Sequence, residues 1–210
     1  MAHTRVIGVD PHADSIVWAM YAEPGHELGY TAGTLRYDKD GLVEAAGAPA
    51  QLAIGHIQRR KKKINYVPTY HSNLADFTHR VIPGEPNTFV LIEDIFCRSR
   101  VGFKTLARVQ GEFLYELERA DPRSSSSVPS YDFTLDVVLA TTWQSYVFNH
   151  FMSKAEQKLL DSKEKSAACA GSVLDSLGFS KLNMAEVLTT GDICDAVCIM
   201  FYGRGFSEEV

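Results

Sequence analysis

Nowhere in these 210 residues does an apolar run approach the roughly 20 that a membrane-crossing helix requires, so no helical span is expected. The segment from Met1 to Asp10 lacks the basic stretch, apolar run and cleavage site of a secretory signal. Cysteine is sparse. Cys97, Cys169, Cys194 and Cys198 lie far apart or on expected helices, which supports no disulfide framework and reads as reduced thiols of a cytoplasmic protein. Cys194 and Cys198 are spaced for one helical face, but no other soft ligand accompanies them, which argues against zinc. The seven histidines show no metal-binding spacing. Excess positive charge is missing too. The formal net charge is -5 at pH 7, whereas many nucleic-acid binders are basic because neutralising phosphates releases counterions. The charge is uneven, however. Arg59-Arg60-Lys61-Lys62-Lys63 is a basic run, and Arg98, Arg100, Lys104 and Arg108 cluster further on. Local field matters more than the total, so composition alone leaves the partner open.

The length suits one domain with a substantial core, and no internal repeat divides it. Arg5 to Asp10 is a short β-branched run that reads as a buried strand ending in an acid. Ser15 to Tyr21 and His26 to Leu35 read as further strands of a meander, with Pro24-Gly25 as a turn signal. Asp40 to Ala46 is expected to open a helix. Gly47 to Pro68 mixes Gly, Pro and the basic run and reads as an irregular insertion. Ser72 to Val81 has the pattern of an amphipathic helix. Thr88 to Glu93 is a second buried strand ending in an acid. Gly102 to Arg119 is expected to be helical, with Phe103, Leu106, Val109, Phe113 and Leu117 at spacings of three and four. The serine-rich stretch from Asp121 to Ser130 reads as loop, and Asp136 to Ala140 as a short strand. Thr142 to Phe151, Lys154 to Leu177 and Gly191 to Tyr202 read as helices. Strands come first and then alternate with helices, the order of a single mixed α/β sheet.

The chemistry concentrates on acids. An acid at the end of a buried apolar strand is costly unless its charge is compensated. A hard cation such as magnesium, which prefers carboxylate oxygens, compensates it well. Asp10 and Glu93 are two such acids, although either alone is equally well read as the start of a loop. Asp192 and Asp195 are three apart and share one helical face, beside an apolar stripe of Ile193, Val197, Met200 and Phe201. Asp192 also suits a helix first turn, whereas Asp195 stands in otherwise apolar surroundings. Four acids on three elements make two-metal hydrolysis of a phosphodiester a coherent reading.

Four segments then resemble, in family order, motifs of the RuvC Holliday-junction resolvases. Val6-Ile-Gly-Val-Asp-Pro11 is similar to that family's first strand. Leu91-Ile-Glu-Asp-Ile-Phe96 is similar to its fourth-strand motif, an acid followed three residues later by an aromatic. Lys104-Thr-Leu-Ala-Arg-Val-Gln-Gly111 resembles the helix that follows, and Asp192-Ile-Cys-Asp-Ala196 the C-terminal acidic motif. The resemblance spans nearly the whole chain. It implies a ribonuclease H-like mixed sheet flanked by helices, in a homodimeric endonuclease that nicks two opposed strands of a four-way DNA junction during recombination and repair. The cofactor implied is Mg2+, with Mn2+ as substitute, and the setting is the cytoplasm of a bacterium or a phage-infected cell.

Carried over residue by residue, the metal ligands would be Asp10, Glu93, Asp192 and Asp195. Phe96 matches an aromatic that stacks on a junction base. Lys165, within Lys163-Glu-Lys-Ser166, matches a lysine near the scissile phosphate. Bland readings stand beside these. Phe96 fits a core aromatic equally well, Lys165 sits on a polar helix face, and basic runs are commonly exposed loops. The candidate DNA contacts are Phe96, Arg98, Arg100, Lys104, Gln144 and the loop cations Arg59, Arg60 and Lys61. The chain also departs from the family's pattern. Gln144 stands where another lysine is usual, His12 where Gly is usual, and 47–68 has no counterpart, which suggests a divergent, phage-type member. The rivals are a ribonuclease H or exonuclease acting on duplex or hybrid, an actin-like nucleotide-binding protein, and a non-catalytic junction-binding module. Pro11-His12-Ala13-Asp14 is not the Gly-rich phosphate loop that the actin-like reading needs. The four acids make pure binding a poor account.

Overall fold

A computed structural model of the protein describes residues 5–12, 15–23, 43–44, 52–58, 87–94, 100–120, 133–178 and 191–208. In chain order the elements are β1 (Arg5–Pro11), β2 (Ser15–Ala22), β3 (Val43–Glu44), β4 (Leu52–Gln58), β5 (Thr88–Glu93), α1 (Arg100–Ala120), β6 (Phe133–Val138), α2 (Ala140–Phe151), α3 (Lys154–Leu159), α4 (Ser162–Ser176) and α5 (Gly191–Glu208). The strands form one sheet in the order β3-β4-β2-β1-β5-β6. β2 runs antiparallel to β1 and β4, while β1, β5 and β6 are parallel. The expected mixed sheet flanked by helices is therefore what the chain forms.

Alternation along the strands divides the core into two layers. Ile7 and Val9 of β1, Ile16, Trp18 and Met20 of β2, and Val90 and Ile92 of β5 face α1, which answers with Val109, Phe113 and Leu117. The opposite faces, with Val6, Val17, Ala19, Tyr21, Leu52, Ile54, Phe89 and Leu91, pack against α2, α4 and α5. β1, with its whole length buried, lies at the centre of this sandwich. That explains why it and β5 read as continuous apolar runs rather than alternating ones.

α5 lies directly on β1. Ile193, Cys194 and Ala196 to Met200 are all essentially inaccessible, so this helix is apolar nearly all round, as a buried helix should be. Its approach depends on Gly8. A Cβ at that position would overlap the Met200 backbone nitrogen and stand 2.6 Å from the Ala196 carbonyl oxygen. Gly203, a turn further along, passes Val6 and Leu91. The helix thus runs back along β1, with its N-terminal end over the C-terminal end of the strand.

Several boundaries differ from the sequence reading. Leu52–Gln58 is a sheet strand inside the stretch expected to be irregular, registered on β2 from Ser15↔Gln58 to Tyr21↔Leu52. Gly55 and His56 dilute its apolar pattern, and only the pairing with β2 makes it a strand. Val43 and Glu44 pair with β4 instead of belonging to a helix. The helix expected over 154–177 is two helices, because Ser153 and Asp161 each start one with a capping box to Glu156 and Glu164. The strand expected at His26 to Leu35 and the helix at Ser72 to Val81 lie outside the described residues, as does most of the basic insertion.

Because the backbone of α5 rests on Gly8, Gly8→Ala cannot be absorbed by a side chain moving aside. The expected cost is about 3 kcal/mol, the upper end of ordinary over-packing effects. Gly203→Ala meets side chains first, the Val6 and Leu91 methyls and the Phe89 ring, the nearest at 3.0 Å, and should cost less. Denaturant melts of the two variants check this; equal midpoints would show that the helix rides higher than described.

Candidate metal centre

The strand alternation that buries Val6 and Phe89 toward α5 carries Asp10 and Glu93 to the same face, each at the last turn of its pleat. The parallel register ends at Val9↔Ile92, so Asp10 and Glu93 are the next residues on neighbouring strands, which run roughly 5 Å apart. Asp10 is 4% exposed. Above them α5 begins, with Asp192 in its first turn and Asp195 one turn behind, the latter 8% exposed. Four carboxylates therefore meet where a helix N-terminus covers two strand ends, and the positive end of the helix dipole favours them.

Three other side chains complete the cluster. Lys163, in the first turn of α4, donates to Asp195 Oδ2 at 2.5 Å and to Asp192 Oδ1 at 3.2 Å. Its stem lies over Gly191, where a Cβ would come within 3.2 Å of it. His12 donates from Nε2 to Asp10 Oδ2 at 2.8 Å and stands 3.4 Å from Asp192 Oδ1. Trp143, fully buried in the first turn of α2, donates its indole Nε1–H to Glu93 Oε2 at 2.7 Å. The short link from β6 through Leu139, whose carbonyl accepts the first α2 amides, puts the indole beside β5.

The charges are under tension. Burial pushes the Glu93 carboxyl up to about 7 and the Asp10 charge adds to it, against the Trp143 hydrogen bond. Burial likewise raises Asp195, against the hydrogen bond from Lys163. For Lys163 burial opposes the charge, but Asp195 and Asp192 outweigh it and hold the ammonium above its ordinary value. For His12 burial is again outweighed, here by the hydrogen bond and charge of Asp10, and the imidazole is raised. Lys163, joined by His12 when the imidazole is protonated, leaves the four-acid cluster short of positive charge. A divalent cation fits this donor set, which is rich in carboxylate oxygen. One ligand atom from each of Asp10, His12 and Asp192 lies within 4.8 Å of the others.

No protein-family model and no curated protein sequence matches the chain. Solved structures do. RuvC of Thermus thermophilus in complex with a Holliday junction substrate aligns over 99% of this chain and 96% of its own, with a TM-score of 0.57 at 12% identity. A second structure of Thermus thermophilus RuvC aligns over 98% and 96%, with a TM-score of 0.57 at 14% identity. The chain has the RuvC fold.

Within the RuvC fold, Asp10, Glu93, Asp192 and Asp195 are brought together from three elements. Lys165 is not at the acids: Lys163 is. The buried stripe of α4 carries Ser166, Cys169, Ala170 and Val173. Lys163 and Lys165 flank that stripe on opposite sides, about 200° apart around the axis. Gln144 lies on α2 with its amide 3.4 Å from Ser162 Oγ, beside the start of α4. Lys104 is exposed on α1, beyond the opposite face of the sheet. Arg100 begins α1; Phe96, Arg98, Arg59, Arg60 and Lys61 lie outside the described residues. The sequence reading set His12 and Trp143 near the DNA backbone but placed neither of them at the acids. The early signals for His12 were its place where the resembling family usually has Gly and its position two residues beyond Asp10, which puts both on one face of an extended strand. Trp143 carried none, since its partner is 50 residues away.

Glu93 and Asp195 hold protons more tightly in the folded protein than in the unfolded chain. Without metal, the site should therefore lose stability as pH rises, with Glu93 acting between about 4.5 and about 7. The raised His12 works in the same direction at higher pH. A bound divalent cation replaces those protons. Added Mg2+ or Mn2+ should raise the melting temperature more at pH 8 than at pH 5, and Glu93→Gln should shrink the difference. Equal shifts at both pH values would be incompatible with a carboxylate-bound ion.

Proposed function

We propose that this protein is a structure-selective DNA endonuclease that resolves Holliday junctions by divalent-metal-dependent phosphodiester hydrolysis. It acts as a homodimer that nicks two opposed strands, because a four-way junction presents two symmetric sites to a two-fold assembly. The observation that carries this reading is the convergence of four carboxylates at the α5–β1 contact of a RuvC fold. The known complex of Thermus thermophilus RuvC with a Holliday junction substrate supports the choice of DNA.

Asp10, Glu93, Asp192 and Asp195 would hold the ions. When bound, such ions activate a water and stabilise the leaving oxygen. The protein's own contributions are positional and electrostatic. Trp143 fixes the Glu93 carboxylate, and the α5–β1 seat fixes Asp195 against Asp10. Lys163, 55% exposed at its side chain, reaches the acids from the solvent side. Once those acids are otherwise compensated, its ammonium is free to pair with a phosphate oxygen. Gln144, at the same rim, is placed to touch the backbone. Phe96, Arg98, Arg100 and Lys104 follow Glu93 in sequence and are assigned to the junction, Phe96 to an unstacked base. Arg59, Arg60 and Lys61 are assigned to a duplex arm, where backbone contacts position without reading sequence.

Cleavage of a labelled four-way junction should require Mg2+ or Mn2+ and be lost in Asp10→Asn and Glu93→Gln, while both variants still bind the junction. Activity in excess chelator would end the metal reading. Cleavage of linear duplex or hybrid as fast as branched DNA would move the protein to general ribonuclease H-like chemistry. Light scattering of the DNA complex should give a dimer mass.

The lysine assignment has its own test. Loss of one electrostatic contact to a reacting phosphate typically costs on the order of tenfold to a thousandfold in rate. Lys163→Ala should slow single-turnover cleavage by that much, and Lys165→Ala by clearly less. The reverse order would return the role to Lys165.

A further inference from the structure

We propose that His12 is itself a metal ligand, forming with Asp10 and Asp192 a mixed nitrogen–oxygen subsite that favours manganese-class transition ions over magnesium. This deepens the carboxylate-metal reading and rests on it. The imidazole does not merely lie near the acids. Its Nε2 is 2.8 Å from Asp10 Oδ2 and 3.4 Å from Asp192 Oδ1, so the nitrogen that would coordinate, on releasing its proton to solvent, lies beside both carboxylates. Ligand atoms about 2.0–2.2 Å from one ion stand about 3–4 Å from each other; the His12–Asp192 pair already has that spacing, and the His12–Asp10 pair, now in hydrogen-bond contact, has to open by a few tenths of an ångström. The three ligand atoms all fall within 4.8 Å.

The backbone makes this placement dependable. β1 stays paired through Pro11, opposite Ile16, so His12 leaves the strand immediately after a fixed residue, on the side of Asp10. Its side chain is 31% exposed, which leaves an ion a way in from solvent. Where the resembling family usually has Gly, this chain therefore brings a nitrogen donor to an otherwise all-oxygen set. Imidazole suits manganese and later first-row ions, whereas magnesium binds through oxygen and keeps its waters.

The test uses the whole protein with MnCl2 alone as the probe. Pulsed electron paramagnetic resonance of the bound Mn2+ should show coupling to an imidazole nitrogen, and His12→Ala should abolish it. Manganese affinity in that variant should fall roughly tenfold to a hundredfold, at least what loss of a supporting residue costs a metal site. Magnesium affinity, read by competition, should change much less. His12→Asp, which puts an oxygen donor at the same position, should bind magnesium at least as tightly as wild type and show no nitrogen signal. If Mn2+ binds and Asp10→Asn abolishes it, yet no nitrogen coupling is seen, His12 is not a ligand and the carboxylate site stands. If wild-type protein binds no Mn2+, both the His12 assignment and the metal reading fall.

Discussion

At Gly8 the main chain of α5 rests on the main chain of β1 with no side chain between them, and the rest of the molecule is arranged around that contact. A helix at this height is sealed on its other sides by α2 and α4, which is why its residues are apolar nearly all round. The same contact sets the level of Asp192 and Asp195 above the sheet. A methyl group at Gly8 would lift both, since the helix moves as a rigid rod. Packing and chemistry therefore share one constraint.

The electrostatics follow from that geometry. Four acids crowded at a strand–helix junction are poorly solvated and repel one another, which raises the Glu93 and Asp195 carboxyls above their ordinary values. Lys163 and His12 offset part of the cost from the open side, and Trp143 offsets part from within. Such an arrangement is a poor one for stability by itself, because breaking or burying charge pairs is expensive. It makes sense as a site poised to exchange protons and side-chain cations for metal ions.

Much of this was legible in the residues. β1 and β5 announced themselves as β-branched runs, each closed by an acid, and α5 as an apolar helix with two acids three apart. What joins them was not legible from the residues themselves, because register and helix height depend on long-range packing. β4 was hidden for the same reason: Leu52 and Ile54 carry an apolar alternation too short to outweigh Gly55 and His56 without β2 beside it. The break at Asp161 could have been found, since Asp161-x-x-Glu164 is a capping box. The choice between Lys163 and Lys165 needed the position of α5, and the indole on Glu93 needed the pairing of β5 with β6.

The order of the elements along the chain has a temporal consequence. Asp10 belongs to the first strand and Glu93 to the fifth, whereas Asp192 and Asp195 arrive only with α5. A ribosome-bound chain that has not yet released α5 holds two of the four acids, beside a β1 that its covering helix has not yet reached. The helix that closes the core also brings the other two acids. Burial of that apolar face and assembly of the four-acid cluster are thus one event.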